Sequence, residues 1–262
     1  MSKFYFLLLA LLIACSSPET TEETTFTPQP DLPEVLVQAI EAHGGWETWQ
    51  SMSSMQYDIA KDSMTTETHL IDLQNRKVRI TTKPEQFTLG FDGTDVWIAP
   101  DLAAFGESSA RFYHNLLFYF YAMPFIVTDP GIQYETVEGD SLNGKIYDAL
   151  KVSYDGGVGD APDDEYILYF DKETHQMEWL LYTVTYFSGE KSDKYRALNY
   201  ADWQEVNGLQ LPRLLSGYTF ENDSIGTKRY DRVFENVKLK MEAPDQSLFE
   251  MPEGAEISPL NE

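Results

Sequence analysis

Two periodicities divide the chain. From Leu32 the positions Leu32, Val35, Leu36, Ala39, Ile40 and His43 recur at i, i+3 and i+4, the one-sided stripe of an amphipathic helix. Asp31 and Glu34 have capping-box spacing at its start, with Pro33 tolerated in the first turn, and Gly44 supplies a left-handed stop. A short turn carrying Trp46 and Trp49 follows. After Ser51 the period drops to two. Met55, Tyr57 and Ile59 alternate with polar neighbours, as do Val78 and Ile80, then Phe87, Leu89 and Phe91. Leu150 to Val152, Tyr166 to Phe170, Trp179 to Phe187, Leu214 to Phe220 and Val233 to Leu239 continue the rhythm. Asn75, Gly93, Gly156-Gly157, Asp171-Lys172, Asn207-Gly208 and Asn222-Asp223 supply turns between them. Many antiparallel strands at roughly even spacing predict a mainly β fold, a large curved sheet or barrel.

Two segments break the alternation. Trp179 to Phe187 is apolar or aromatic on both parities, so the strand must be covered on both faces by something packed inside the sheet. The candidate is Arg111 to Val127. Thirteen of its 17 residues are apolar and not proline, and seven are aromatic. As a helix interrupted at Pro124 it is hydrophobic nearly all round, which demands burial on most sides. It is expected to lie across the open face of the sheet.

The N-terminus reads as an address. Lys3 precedes an apolar run from Phe4 to Ala14, which rises only ~16 Å as a helix and is too short for a ~30 Å hydrocarbon core. The run ends Leu12-Ile13-Ala14-Cys15-Ser16-Ser17, which resembles a lipobox, where a cysteine is acylated and becomes the first residue after cleavage. An ordinary secretory signal with a chance cysteine is the alternative. Residues 1–14 are thus expected to be a lipoprotein signal peptide, with Cys15 as the lipidation site and a membrane as partner through that anchor. Ser16 after the cysteine resembles outer-membrane sorting, facing either the periplasm or the cell surface. Residues 15–30 are Ser, Thr, Pro and Glu with one aromatic, the composition of a flexible tether. Residues 31–262 carry no internal repeat and no second boundary, so one monomeric domain is expected.

Composition narrows the function. The chain has 43 acidic against 19 basic side chains, a formal charge of −24, and its field opposes nucleic acid. One cysteine cannot build an internal disulfide framework. With 42% apolar and 14% aromatic residues, a real core is nevertheless expected.

Catalytic signatures are weak throughout. Gly139 to Lys145 matches the first seven positions of a phosphate loop, but Ile146 replaces the hydroxyl that would hold Mg²⁺, and a strand-like alternation follows. A hairpin loop is expected there. His43, His69, His114 and His175 show no HExxH spacing, and no Gly-x-Ser-x-Gly elbow exists. His43 is expected to cap a helix end. His114, inside the aromatic segment, is expected to be a hydrogen-bonded buried residue, with a functional role in a cavity as the alternative. Asp155, Asp160, Asp163 and Asp164 could gather Ca²⁺, but their spacing is not an EF-hand, and a solvated acidic loop is the expectation. Asp62-Ser63-Met64, Asp140-Ser141-Leu142 and Asp223-Ser224-Ile225 look like short O-glycosylation acceptor patterns. No catalytic residue, no metal site and no cofactor is assigned, and the protein is expected not to be an enzyme.

Four motifs in order suggest a family: His43-Gly44-Gly45, Phe91-Asp92-Gly93 followed by Trp97, Asn207-Gly208-Leu209-Gln210-Leu211-Pro212, and Leu248-Phe249-Glu250-Met251-Pro252. Together they resemble LolA/LolB-like bacterial lipoproteins, in an uncharacterised branch from Gram-negative envelopes. The resemblance spans residues 32 to about 257. It implies an incomplete antiparallel barrel with helices covering its concave face, and a hollow that takes a lipid or other hydrophobic ligand. On that basis Phe112, Leu116, Phe120 and Met123 of the insert, with Trp97 and Trp179 on strands, are the candidate ligand-binding residues. The bland reading of all six is ordinary packed core. An envelope scaffold or interaction module with a filled barrel is the second expectation, and a hydrolase acting near Asp155 to Asp164 the third.

Overall fold

The computed structural model describes residues 32–106, 109–137, 141–156 and 159–259 of the 262-residue chain. The signal, Cys15 and the tether lie outside the described residues. The first helix, α1 (Glu34–Ala42), opens on Pro33, whose carbonyl accepts from Leu36 N at 2.9 Å and Val37 N at 3.1 Å. It begins at Glu34 rather than Leu32, because a residue before proline is kept out of helical backbone. Asp31 itself is not described. Leu36, Ala39, Ile40 and His43 are buried as the stripe predicts. The short α2 (Trp46–Gln50) follows.

The strands come next: β1 (Ser54–Ala60), β2 (Thr66–Asp72), β3 (Val78–Lys83), β4 (Thr88–Phe91) and β5 (Val96–Ala99). The insert supplies α3 (Leu102–Phe105), α4 (Ala110–Tyr121) and a 3-10 turn at Phe125–Thr128. Then come β6 (Ile132–Val137), the two-residue strands β7 (Ser141–Leu142) and β8 (Lys145–Ile146), β9 (Asp148–Tyr154), β10 (Tyr166–Phe170) and β11 (Met177–Tyr182). Three long strands, β12 (Arg196–Val206), β13 (Leu209–Glu221) and β14 (Ser224–Lys240), and the two-residue β15 (Glu256–Ile257) complete the chain. Thirteen strands form one antiparallel sheet in the order β15-β5-β4-β3-β2-β1-β14-β13-β12-β11-β10-β9-β6. The sheet does not close on itself, so β15 and β6 are its free edges.

Turn chemistry sets the register. Asn143-Gly144, Asn207-Gly208 and Asn222-Asp223 all have positive φ at both positions, the backbone of a two-residue type I′ hairpin. The first of these closes β7 on β8, so residues 141–145 of the stretch resembling a phosphate loop form a hairpin, and Gly139 and Asp140 lie outside the described residues. Register shifts at Gln56/Asp58 and around Tyr218 put extra twist into the β1–β14–β13 centre and curl the sheet.

α4 and the 3-10 turn lie across the concave face. α4 packs on β3, β4 and β5 and reaches β13. Phe118, Tyr121, Met123 and Phe125 are fully buried there with Tyr57, Phe234 and Trp49. Tyr121 stacks on Phe234 at 4.0 Å between ring centroids, and Trp49 on Phe125 at 4.7 Å. The two-sided apolarity of β11 has a second cause that periodicity did not reveal. Leu180 and Tyr182 face the concave core, whereas Leu181 joins Leu142, Tyr147, Ala149, Tyr169 and Ala197 in a small separate cluster under the β7–β8 hairpin. Residues 183–187 leave the strand and turn toward the mouth of the hollow.

Candidate functional site

α4 has two working faces. His114, Leu117, Phe118 and Tyr121 are buried, and the last three join the core. Phe112, Leu116, Tyr119 and Phe120, at i, i+4, i+7 and i+8, face a cavity of about 490 Å³. Its opposite wall is Ile126, Asp129 and Ile132 with Tyr154 of β9 and Tyr166 of β10. Its rim is formed by Asn75 and Arg76 of the β2–β3 turn, Phe91 at the end of β4, Gly93, Asp160, Ala161, Asp164 and Tyr186. The volume suits a single drug-sized or acyl-sized molecule, within the ~300–1,000 Å³ of small-molecule sites. The insert therefore neither fills the half-barrel nor leaves it hollow. It fills the β3–β5 side and leaves space on the β6–β9–β10 side.

The lining is apolar with a paired polar set. Arg76 Nη2 donates to Asp129 Oδ1 at 2.9 Å. Arg111 holds Asp160 in two hydrogen bonds, Nε to Oδ2 at 2.7 Å and Nη2 to Oδ1 at 3.0 Å, and its Nη1 donates to Thr94 O at 3.0 Å. One guanidinium thus ties α4, the β4–β5 turn and the 155–164 loop together. Asp164 accepts from Thr185 N at 2.6 Å and Thr185 Oγ1 at 2.8 Å. Burial pushes the Asp129 carboxyl up to about 6, against the pull of Arg76. Burial also raises Asp164, and it holds the Tyr154 and Tyr166 hydroxyls protonated well above their ordinary value. His114 is driven down to about 4 by burial, so its ring is neutral at physiological pH.

Of the residues expected from sequence, the structure brings Phe112, Leu116 and Phe120 together on this cavity. Trp97 is buried on β5, its ring laid over Gly90 and its Nε1 donating to Phe249 O at 3.0 Å. Met123 is fully buried in the core below the cavity. Trp179 lies against Tyr218 beside the smaller cluster. Sequence reasoning missed Arg76, Asn115, Asp129, Tyr154 and Tyr166. No short-range signal marks them, since Arg76 and Asp129 are 53 positions apart.

The motifs that carried the family resemblance are joints of the frame. His43 Nδ1 donates to Ala39 O at 2.7 Å, so the residue does cap its helix, and Gln210 N donates to His43 O at 2.9 Å. A Cβ on Gly44 would run into the Gly208 carbonyl. The first motif therefore locks onto the third, and Trp97 of the second locks onto Phe249 of the fourth. A further buried polar cluster sits between α4 and β2: Tyr113 donates to Glu67 Oε2 at 2.5 Å, with His69 Nε2 at 3.3 Å and Lys61 Nζ 3.4 Å from Oε1. Burial opposes ionisation of Glu67, but His69, Tyr113 and Lys61 hold its carboxyl down at about 2. It pins the helix to the sheet. Among the described residues no group of three or more His, Cys, Asp or Glu is arranged to hold a metal ion. Asp160 and Asp164 point instead to Arg111 and Thr185.

Residues 101–211 match a family of unknown function, DUF6503. No curated protein matches the chain. Among solved structures the fold is similar to a LolA superfamily protein from Nitrosomonas europaea, at 10% identity and a TM-score of 0.49 over 83% of this chain and 96% of that one. It is similar to an outer membrane lipoprotein-sorting protein domain from Vibrio parahaemolyticus, at 9% identity and a TM-score of 0.44 over 82% and 94%. A DUF1329 family protein from Desulfovibrio piger gives 10% and 0.49 over 82% and 95%. Likenesses of this degree do not extend to ligand or activity. The matched segment 101–211 does contain α4, the Asp129 wall, β9, β10 and the 155–164 loop, which make up most of the cavity.

Proposed function

We propose that this protein is a non-enzymatic envelope lipoprotein, anchored through acylated Cys15, that binds one lipid or other hydrophobic molecule in the cavity beside α4. The observation that carries the reading is a space of about 490 Å³ lined by Phe112, Leu116, Phe120, Ile126 and Ile132 beside the packed core of the concave face. Enclosing an alkyl chain there would gain ~0.8 kcal/mol per buried CH₂. No helix of the described residues is long and apolar enough to cross a membrane. In this reading the lipid on Cys15 is the means of attachment.

The test is uptake of N-phenyl-1-naphthylamine by the chain starting at residue 16, with native mass spectrometry for co-purifying lipid. Saturable dye fluorescence is expected, and Leu116→Trp, which fills the space from the α4 side, should weaken it at least fivefold. Absence of both dye uptake and lipid would favour the scaffold reading, for which the support is the full burial of Phe118, Tyr121, Met123 and Phe125. Cys15→Ala in the full chain should move the protein from the detergent-extracted to the aqueous fraction. Continued membrane retention would end the anchoring claim.

A further inference from the structure

The head-group chemistry of the cavity is more specific than its apolar lining. Every formal charge in the lining already has a partner within the protein. Arg76 holds Asp129, Arg111 holds Asp160 with the Nε–Nη2 edge of its guanidinium and gives Nη1 to Thr94 O, and Asp164 is taken by the Thr185 amide and hydroxyl. Two guanidinium groups against three carboxylates leave no surplus positive charge, inside a chain of formal charge −24. An anion entering this space meets no free cation and would lose its hydration for nothing. A cation meets only carboxylates that already accept hydrogen bonds, Asp164 from the Thr185 amide and hydroxyl, and burial disfavours the charged form of Asp164.

Among the described residues that line the cavity, one buried side-chain acceptor is left open. His114 Nδ1 carries its proton and donates to the Arg111 carbonyl one helical turn back. Its Nε2 is therefore the acceptor, and Asn115 Nδ2 donates to it at 2.7 Å. That contact fixes the Asn115 amide, because the reversed amide would set oxygen against an imidazole lone pair. The remaining atom, Asn115 Oδ1, is buried and has no hydrogen-bond partner among the described residues, and Asn115 lines the cavity. A buried acceptor without a donor costs ~1–3 kcal/mol, and a ligand that supplies the donor recovers it. The acid-shifted His114 keeps the relay in this one tautomer across neutral pH.

Resting on the cavity reading above, we infer that the site selects an amphiphile whose head is uncharged and carries an O–H or N–H donor, such as a hydroxyl, glycosyl or amide group, and that Asn115 Oδ1 is the atom that reads it. Fatty-acid carboxylates and phosphate-headed lipids are disfavoured. Asn115 is a specificity residue and His114 its positioning residue.

Three ligands with the same ten-carbon tail separate the possibilities on the native protein: 1-decanol, which has a donor; decyl methyl ether, which has only an acceptor; and decanoate, which is charged. Each is titrated at pH 7.5 against bound N-phenyl-1-naphthylamine. Decanol is expected to displace the dye at about tenfold lower concentration than either of the others, a factor equal to ~1.4 kcal/mol. Asn115→Leu should bring the decanol-to-ether ratio to about one. Dye uptake with decanoate equal to or tighter than decanol would overturn the head-group inference while leaving the cavity reading intact. No uptake of dye or any decyl compound would overturn both. A native ratio of one between decanol and ether would remove the role of Asn115, whether or not the variant folds.

Discussion

His43 sets a measurable acid limit on the fold. The ring is fully buried at the end of α1, T-stacked against Trp203 at 4.7 Å and Phe125 at 6.5 Å, and it donates to Ala39 O. Its other nitrogen faces Met177 N on β11 at 3.4 Å, where only a neutral ring can accept. Burial lowers its pKa from 6.5 to about 4, with the Ala39 bond opposing part of the drop. Above pH 6.5 the ring is neutral in both folded and unfolded chains, so titration contributes nothing to stability. Between 6.5 and 4 the unfolded chain takes up a proton that the folded one refuses, and stability falls as pH falls. For these two pKa values the loss between pH 7 and pH 5 is roughly 2 kcal/mol. His114 adds a loss in the same direction. Asp129, raised to about 6, acts oppositely, because the folded chain binds the extra proton there. Urea unfolding followed by tryptophan fluorescence at both pH values checks the balance. With m near ~2 kcal/mol/M, His43 alone moves the midpoint by about 1 M. His43→Gln will lower stability at pH 7 through lost packing, but its difference between pH 7 and pH 5 should be smaller than the native difference by that amount. An unchanged difference would refute the assignment of the acid sensitivity to His43.

Four further outcomes follow from the same contacts. Gly44→Ala puts a Cβ into the Gly208 carbonyl at a φ of 109°, and it should cost ~2 kcal/mol or more in a thermal melt. Tyr113→Phe removes the donor to a buried carboxylate and should cost about 2 kcal/mol, with hydrogen exchange faster in α4 than in β12 and β13. Trp97→Phe gives up the Nε1 bond to Phe249 and should cost ~1–2 kcal/mol, with increased proteolysis after β14. Asp129→Asn removes a group whose ionised form is penalised in the folded state. Native stability should drop as pH rises from 4 to 6 through that group, and the variant should lose this component of the slope while keeping the His43 component.

What was legible in the sequence followed from repetition and from turn chemistry. Alternation along Met55–Ile59 or Val78–Ile80 is produced by the sheet itself, because one face of each strand is buried whatever lies above it. Asn-Gly pairs announce their hairpins because few other residues tolerate two successive positive φ angles. The same logic explains the errors. Pro33 displaces the helix start through a backbone effect that outweighs the capping pattern around it. The outer cluster under β7–β8 escaped notice because Leu142 and Tyr147 sit in elements too short to show any period.

The cavity is a different kind of object. Its apolar half could be anticipated, since Phe112, Leu116 and Phe120 share an i, i+4, i+8 row on one helix. Its polar half could not. Arg76 meets Asp129 and Arg111 meets Asp160 only after β2–β3, α4 and the 155–164 loop have converged. His114 was weighed as either a satisfied buried residue or a functional one, and the geometry makes these the same thing. By satisfying its own two nitrogens on Arg111 O and Asn115 Nδ2, the ring leaves the neighbouring amide oxygen, buried on a residue that lines the space, without a partner. An open acceptor on a residue that lines a space of about 490 Å³ favours reading that space as a binding site rather than a packing defect.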